Sequence, residues 1–313
     1  MPFGAKGCQR FLLPLILIAI SVCTTLCGGI SLAGEPIPVF VSIPPQKYFV
    51  EKIGGRLVQV SAMVPPGANP HIYEPRPSQM TALAKSRIYF AVGVTFETVW
   101  LPKFAMLNPQ MRIVPTDKGI DKMAMVEHRH EEDQGAKPKA RKTHAHGDDA
   151  RAALDPHVWV SPPEVKIIAR NILEAFLETD PGNQSVYTSN HDAFVREIER
   201  LDQDLQELFK DKRGFKFMVY HPGWGYFARA YGLQQVSVEV EGKEPKPEQL
   251  KILIDESRKQ GIKVIFVQPQ FSTKSAETLA KAISGQVVFA DNLREDWEKN
   301  LRSQAEKFKQ ALP

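Results

Sequence analysis

The chain has 313 residues, 43% of them hydrophobic and 24% charged, a composition that fits a globular protein and excludes a disordered or fibrous one. Its 40 Lys and Arg against 36 Asp and Glu leave little net charge, and no basic stripe interleaved with aromatics appears, so nucleic acid is not an expected partner. The three cysteines, Cys8, Cys23 and Cys27, all lie close to the N-terminus, which leaves the rest of the chain without disulfides or thiolate ligands.

The first residues read as an address. Lys6 and Arg10 make a basic n-region, Phe11 to Val22 an apolar one, and Ser31-Leu32-Ala33 places small residues before a cleavage point at Gly34. Residues 1–33 are therefore expected to be a signal peptide. Two alternatives stand beside it. An uncleaved membrane anchor is opposed by Gly28-Gly29 and Ser31, which interrupt the apolar run. Lipidation of Cys23 or Cys27 is opposed by Val22 and Leu26, which stand where a small residue is expected. Cleavage would remove Lys6 and Arg10 and no acid, leaving 38 basic residues against 36 acidic ones. An exported chain of that length without disulfides needs a real hydrophobic core, more naturally built as two domains than as one.

From there, short β-branched and aromatic runs alternate with helical patterns, the mark of parallel α/β architecture. The first half offers strands at Val39–Ile43, Val58–Val64, Ile88–Val92 and Ile113–Pro115. A polar segment follows, residues 127–151, carrying His128, His130, His144 and His146 among acids, lysines and glycine. Such a composition cannot bury enough surface to order itself, so a mobile loop is expected, and its histidines are candidates for auxiliary, weaker metal capture.

Helical spacing then begins at Pro162, with Val165, Ile168, Ile172 and Phe176 on one face, and stops at Asp180-Pro181-Gly182. A second helix is expected from Asn183 to Lys210, with Tyr187, Phe194, Ile198, Leu201, Leu205 and Leu208 on its apolar face. At about 1.5 Å per residue it spans roughly 42 Å, enough to tie two stacked lobes together stiffly. The second half repeats the strand count at Phe217–Tyr220, Val236–Val240, Val264–Val267 and Val287–Ala290. The expected fold is α/β: two lobes, each a mainly four-stranded parallel sheet with flanking helices. The expected boundaries are 34–180 for the first lobe, 181–210 for the connecting helix and 211–313 for the second lobe.

Three histidines outside the polar loop sit in proline- or glycine-rich turns. They are His71 in Asn69-Pro70-His71, His157 in Asp155-Pro156-His157 and His221 in His221-Pro222-Gly223. All three fit the place where open α/β sheets put ligands, beyond the carboxyl ends of strands. Imidazole is the commonest ligand for zinc and its neighbours, and proline beside each ligand limits the entropy lost on binding. Asp291, at the end of the last strand run, is the natural fourth ligand: one hard oxygen beside three borderline nitrogens.

Longer segments carry a resemblance. Asn69-Pro70-His71-Ile72-Tyr73-Glu74-Pro75-Arg76-Pro77-Ser78 followed by Ala91-Val92-Gly93, then Asp155-Pro156-His157-Val158-Trp159, then His221-Pro222-Gly223-Trp224-Gly225-Tyr226-Phe227 and Glu241-Gly242-Lys243-Glu244-Pro245 make the set. Together they resemble the periplasmic solute-binding proteins of zinc and manganese ABC importers, the ZnuA/TroA-like family. The resemblance covers essentially everything after Pro36. It implies two lobes joined by a rigid helix, metal held between them by His71, His157, His221 and Asp291, and a monomeric periplasmic receptor that delivers its ion to an inner-membrane ABC permease. It also implies zinc more than manganese. In manganese members a carboxylate commonly replaces the third histidine, whereas His221 stands there in this chain. The residues alone leave two other classes open. A secreted zinc hydrolase, with Glu74 and Glu97 as candidate bases, is opposed by the lack of His-Glu-x-x-His. A metal-binding adhesin or buffer not coupled to transport is not separated from a receptor by sequence.

Overall fold

Each half of the chain builds a parallel sheet from short, apolar strands that alternate with helices. In the computed structural model, which describes residues 1, 3–4, 35–125, 154–240 and 242–312, the first sheet uses Ile37–Val41 (β1), Val58–Ala62 (β2), Ile88–Ala91 (β3) and Arg112–Pro115 (β4). Pro44–Gly54 (α1), Pro77–Leu83 (α2) and Thr95–Leu107 (α3) connect them. Pro162–Thr179 (α4) and Gln184–Phe209 (α5) follow. The second sheet uses Lys216–Val219 (β5), Gln234–Ser237 (β6), Val264–Val267 (β7) and Gln286–Phe289 (β8). Its helices are Gly225–Tyr231 (α6), Pro247–Lys259 (α7), Lys274–Ala282 (α8) and Trp297–Ala311 (α9). Two units divide the chain, Met1–Glu35 and Pro36–Pro313, and the second contains every element named here. Among the described residues no helix is long and apolar enough to cross a membrane.

Both sheets are parallel throughout and share one strand order, β2-β1-β3-β4 and β6-β5-β7-β8. The expected two four-stranded sheets are therefore present. In each, the order reverses beside the first strand, which opens a crevice beyond its carboxyl end where such folds bind ligands. Ile88, Tyr89, Phe90 and Ala91 of β3 are all buried, as a strand covered by helices on both faces requires. The observed strand ends lie within two or three residues of the expected ones. The largest shift is at β6, which ends at Ser237; Val238 and Glu239 still donate their amides to the Val219 and Tyr220 carbonyls before the chain turns back through a Val240–Lys243 bridge.

Three helices start on the same device. Pro44-Pro45-Gln46, Pro77-Ser78-Gln79 and Pro247-Glu248-Gln249 put proline in the first turn, where its missing N–H costs nothing. The residues before them, Ile43, Arg76 and Lys246, have no side chain suited to capping. The glutamine three residues on supplies the acceptor instead, with Oε1 taking the backbone N–H of each.

The long helix α5 has 26 residues, close to the expected span, and buries Tyr187, Phe194, Ile198, Leu201, Leu205 and Phe209 on one face. It packs on α1 from the first half of the chain and on α6 and α9 from the second. One hydrophobic cluster runs through both halves, whereas a separate, smaller one around Leu253, Ile265 and Leu279 underlies α7 and α8. Trp297 of α9 joins the halves, with its ring edge-on to Phe49 of α1 at 5.1 Å. Its Nε1 donates to the Trp159 carbonyl at 2.6 Å, and Trp159 Nε1 donates to the Asn292 carbonyl at 2.7 Å.

Candidate metal centre

The turn that carries each histidine is fixed by its neighbours. Asn69 Oδ1 accepts the His71 N–H at 2.9 Å, and Asp155 Oδ1 accepts the His157 N–H at the same distance. The two Asx-Pro-His segments thus form the same local turn, with proline setting φ and the preceding side chain capping the histidine amide. His221 follows β5 directly. Gln268, just beyond β7, brackets it by donating Nε2 to the His221 carbonyl at 2.9 Å. This places His221 at the point where the second sheet reverses its strand order. Gly223 is required here by close approach, because a Cβ would lie 2.7 Å from Asn292 Nδ2 and 3.3 Å from His157 Cδ2.

The three imidazoles converge. His71 Nε2 lies 3.1 Å from His221 Nε2, which lies 3.2 Å from His157 Nε2, and the three donor atoms all fall within 4.8 Å of one another. A tetrahedral zinc with Zn–N bonds near 2.0 Å has N···N edges of ~3.3 Å, so the two shorter separations match that polyhedron. His157 and His221 are buried and His71 is half-buried.

The outer nitrogens decide the chemistry. His157 Nδ1 lies 2.7 Å from Asp155 Oδ1, and His221 Nδ1 lies 2.6 Å from Glu239 Oε2. A carboxylate only accepts, so in both rings the proton sits on Nδ1 and Nε2 presents a lone pair. Two lone pairs then face each other at 3.2 Å and cannot hydrogen-bond while both rings are neutral. A cation between them resolves the conflict. A proton is a poor candidate: burial, then repulsion from His157 and His221, pulls the His71 pKa down to about 2, and burial outweighs Glu239 to lower that of His221. A divalent metal, which takes neutral imidazole directly, fits. His71 differs from the other two in having a hydroxyl partner, Thr95 Oγ1 at 3.0 Å from Nδ1. Phe271 lies over the His221 ring at 4.6 Å, nearly parallel.

Among the described residues the group of possible metal donors contains these three histidines and no carboxylate. Asp291 is not brought into it. Its Oδ1 accepts the Leu293 N–H at 2.9 Å and the Gln270 amide at 3.3 Å, folding the side chain back on its own loop. Glu97 is buried under the first sheet's crevice, where it accepts the amides of Val92 and Gly93 at 2.9 and 2.8 Å, and Glu74 is exposed. His128, His130, His144 and His146 lie outside the described residues. Sequence reasoning missed Asp155, Glu239 and Thr95 as partners of the three converging rings. Asp155 carried a signal, since an acid two residues before a histidine can reach both its amide and its ring. Glu239 carried none.

The family model described as zinc-uptake complex component A, periplasmic (ZnuA), matches residues 39–311. The high-affinity zinc uptake system protein ZnuA of Bacillus subtilis is 26% identical over 306 residues, covering 95% of this chain and 92% of its own. Zinc-binding protein AdcA of Streptococcus pyogenes serotype M3 is 26% identical over 96% of this chain, which spans 59% of AdcA's length. A crystal structure of ZnuA matches with a TM-score of 0.79 at 39% identity, covering 88% of this chain and 99% of that one. The extent of the family match, together with three imidazoles gathered at one point, shows that this chain belongs to the ZnuA family, zinc-uptake complex component A.

Proposed function

We propose that the protein is an extracytoplasmic receptor that binds one divalent ion, zinc before manganese, on Nε2 of His71, His157 and His221, and delivers it to an ABC importer in the membrane. The observation that carries this is the pair of facing lone pairs on His157 and His221, each fixed by a carboxylate behind its ring. Three neutral nitrogens suit zinc better than manganese, which prefers oxygen-rich sites. Support for delivery comes from the zinc uptake role printed for the Bacillus relative and from the family description. The His-rich segment with His128, His130, His144 and His146 would gather further ions weakly, outside the tight site.

Binding without turnover is part of the same reading. A hydrolytic zinc needs a free carboxylate as base. The two carboxylates nearest the ligands, Asp155 and Glu239, are committed to Nδ1 atoms, and Glu97 is committed to two backbone amides. The ion has an approach. A groove of about 610 Å³, lined by Tyr48, Pro66, Asp291, Leu293 and Glu295, shares Leu293 as a lining residue with the histidine cavity.

The test is zinc titration by calorimetry. His221→Ala should abolish tight binding. Glu239→Gln and Asp155→Asn keep the shape but let an amide donate to Nδ1, which moves the ring proton to Nε2 and blocks the lone pair. Each should weaken zinc about 10- to 100-fold. Full affinity in His221→Ala would overturn the site, and full affinity in both amide variants would overturn the tautomer argument.

A further inference from the structure

The turns that carry His157 and His221 are far apart in sequence, and one hydroxyl fastens them together. Asp155, which holds the His157 amide and ring, is joined to the stretch after β4. Its N–H donates to the Met123 carbonyl at 2.8 Å, and Ala124 and Leu154 form an antiparallel bridge beside it. Tyr226, five residues after His221 in the first turn of α6, closes this pair. Its hydroxyl donates to the Asp155 carbonyl at 2.9 Å and accepts the Met123 N–H at 3.0 Å. The side chain is fully buried and its oxygen both donates and accepts, which a phenylalanine cannot do. Arg229 lies over the Tyr226 ring at 4.8 Å and pairs with Glu164 of α4 at 2.7 Å, so the ring is covered on that face. The approach of α6 to Asp155 is close: a Cβ on Gly225 would lie 3.0 Å from Asp155 Oδ2 and 3.3 Å from Met123 Cε.

We propose that Tyr226 is a positioning residue for the bound ion: by clasping Asp155 to α6 it sets the separation of His157 from His221 and so favours a zinc-sized ion over a larger one. The inference rests on the three-histidine site proposed above and assigns what fixes its bite. Asp155 and Glu239 orient the two rings, whereas Tyr226 ties the backbone two residues before one ring to the helix that follows the other. The Nε2 atoms of those rings stand 3.2 Å apart, and a site keeps such a spacing only where the supporting groups leave it no slack.

Cobalt(II) spectra, with competition titrations of zinc and of cadmium, a larger ion of the same filled d shell, test this on the full chain. Tyr226→Phe should weaken zinc about 10-fold, shift the visible cobalt bands and raise the cadmium-to-zinc affinity ratio several-fold. Tyr231→Phe is the control, because it removes a hydroxyl of the same helix that donates to Asp202 of α5 at 3.0 Å. It should lower the melting temperature and leave the bands and the ratio where they were. Gly225→Ala keeps the phenol but crowds Asp155, and should shift the cobalt bands even if loss of the hydroxyl prevents folding. Unchanged bands and ratio in Tyr226→Phe, or in Gly225→Ala where only that variant folds, would overturn the proposal. Equal changes in Tyr231→Phe would overturn it as well, by showing that any loosening of α6 is felt at the ion. In each case, loss of cobalt binding in His221→Ala would keep the three-histidine site standing, so the two failures are distinguishable.

Discussion

Keeping imidazoles neutral and close together has a cost that depends on pH. The His71 pKa is drawn down to about 2, by burial first and by the other two rings second, and His221 is lowered as well. In the unfolded chain both rings titrate near 6.5. Below that value the unfolded state binds more protons than the folded one, so metal-free stability falls as pH drops through 6.5 and keeps falling toward the folded value of His71. The urea midpoint of chelator-treated protein should therefore fall between pH 7.5 and 5.0, and His71→Gln should flatten that slope. An equal slope in the variant would show that the cluster opens freely on protonation. The three histidines that converge were legible in the sequence as candidate ligands because proline and glycine mark their turns. Asp291 illustrates what was not. A strand-end aspartate was expected to point into the crevice, but an aspartate followed by a turn can cap the backbone two residues on, and Asp291 does so at Leu293. Glu239 was invisible because its partner lies 18 residues earlier and only the sheet brings them together.

Among elements, the strands were legible and their ends less so. β6 stops two residues into the run Val236–Val240, yet Val238 and Glu239 stay hydrogen-bonded to Val219 and Tyr220, which sets Glu239 beside His221. The recurring proline-x-glutamine helix start went unread, since glutamine three residues into a helix carries no distinctive periodicity. Its worth depends on burial, which only the fold sets. Gln46 is fully buried: Oε1 accepts the amides of Ser42 and Ile43, and Nε2 donates to the Phe90 carbonyl and Thr116 Oγ1. Gln46→Ala strands these groups away from water and should cost about 2–4 kcal/mol. Gln249 does the same job at an exposed start, accepting the Lys246 amide at 2.8 Å, and Gln249→Ala should cost about 1 kcal/mol or less. Chemical denaturation of the two variants compares them directly. Equal losses would mean that the cap, and not burial, dominates at Gln46.

At the scale of the whole molecule, the two sheets are alike in topology but not independent in packing. The count of strands made the two similar halves legible. The tryptophan contacts between them were not, because nothing local to Trp297 names Phe49 or the Trp159 carbonyl as its partner. The single hydrophobic cluster through both halves makes large separation of the sheets expensive, since opening them would expose Trp297, Phe49 and Trp159 together. The proposed metal site is built on this joint: Trp159 is two residues from His157, and their rings lie 5.2 Å apart. Trp297→Phe keeps an aromatic ring in the cluster but leaves the Trp159 carbonyl without its donor. We expect that variant to fold, to lose about 1–3 kcal/mol and to bind zinc several-fold more weakly, because the turn holding His157 loses its anchor. Trp297→Ala adds a cavity and should cost about 3–5 kcal/mol. Melting curves and zinc titrations of both variants separate the two effects. A Trp297→Phe protein destabilised as expected yet binding zinc with full affinity would show that His157 is held by Asp155 and its own turn alone, and that the joint between the halves supports the fold without setting the grip on the ion.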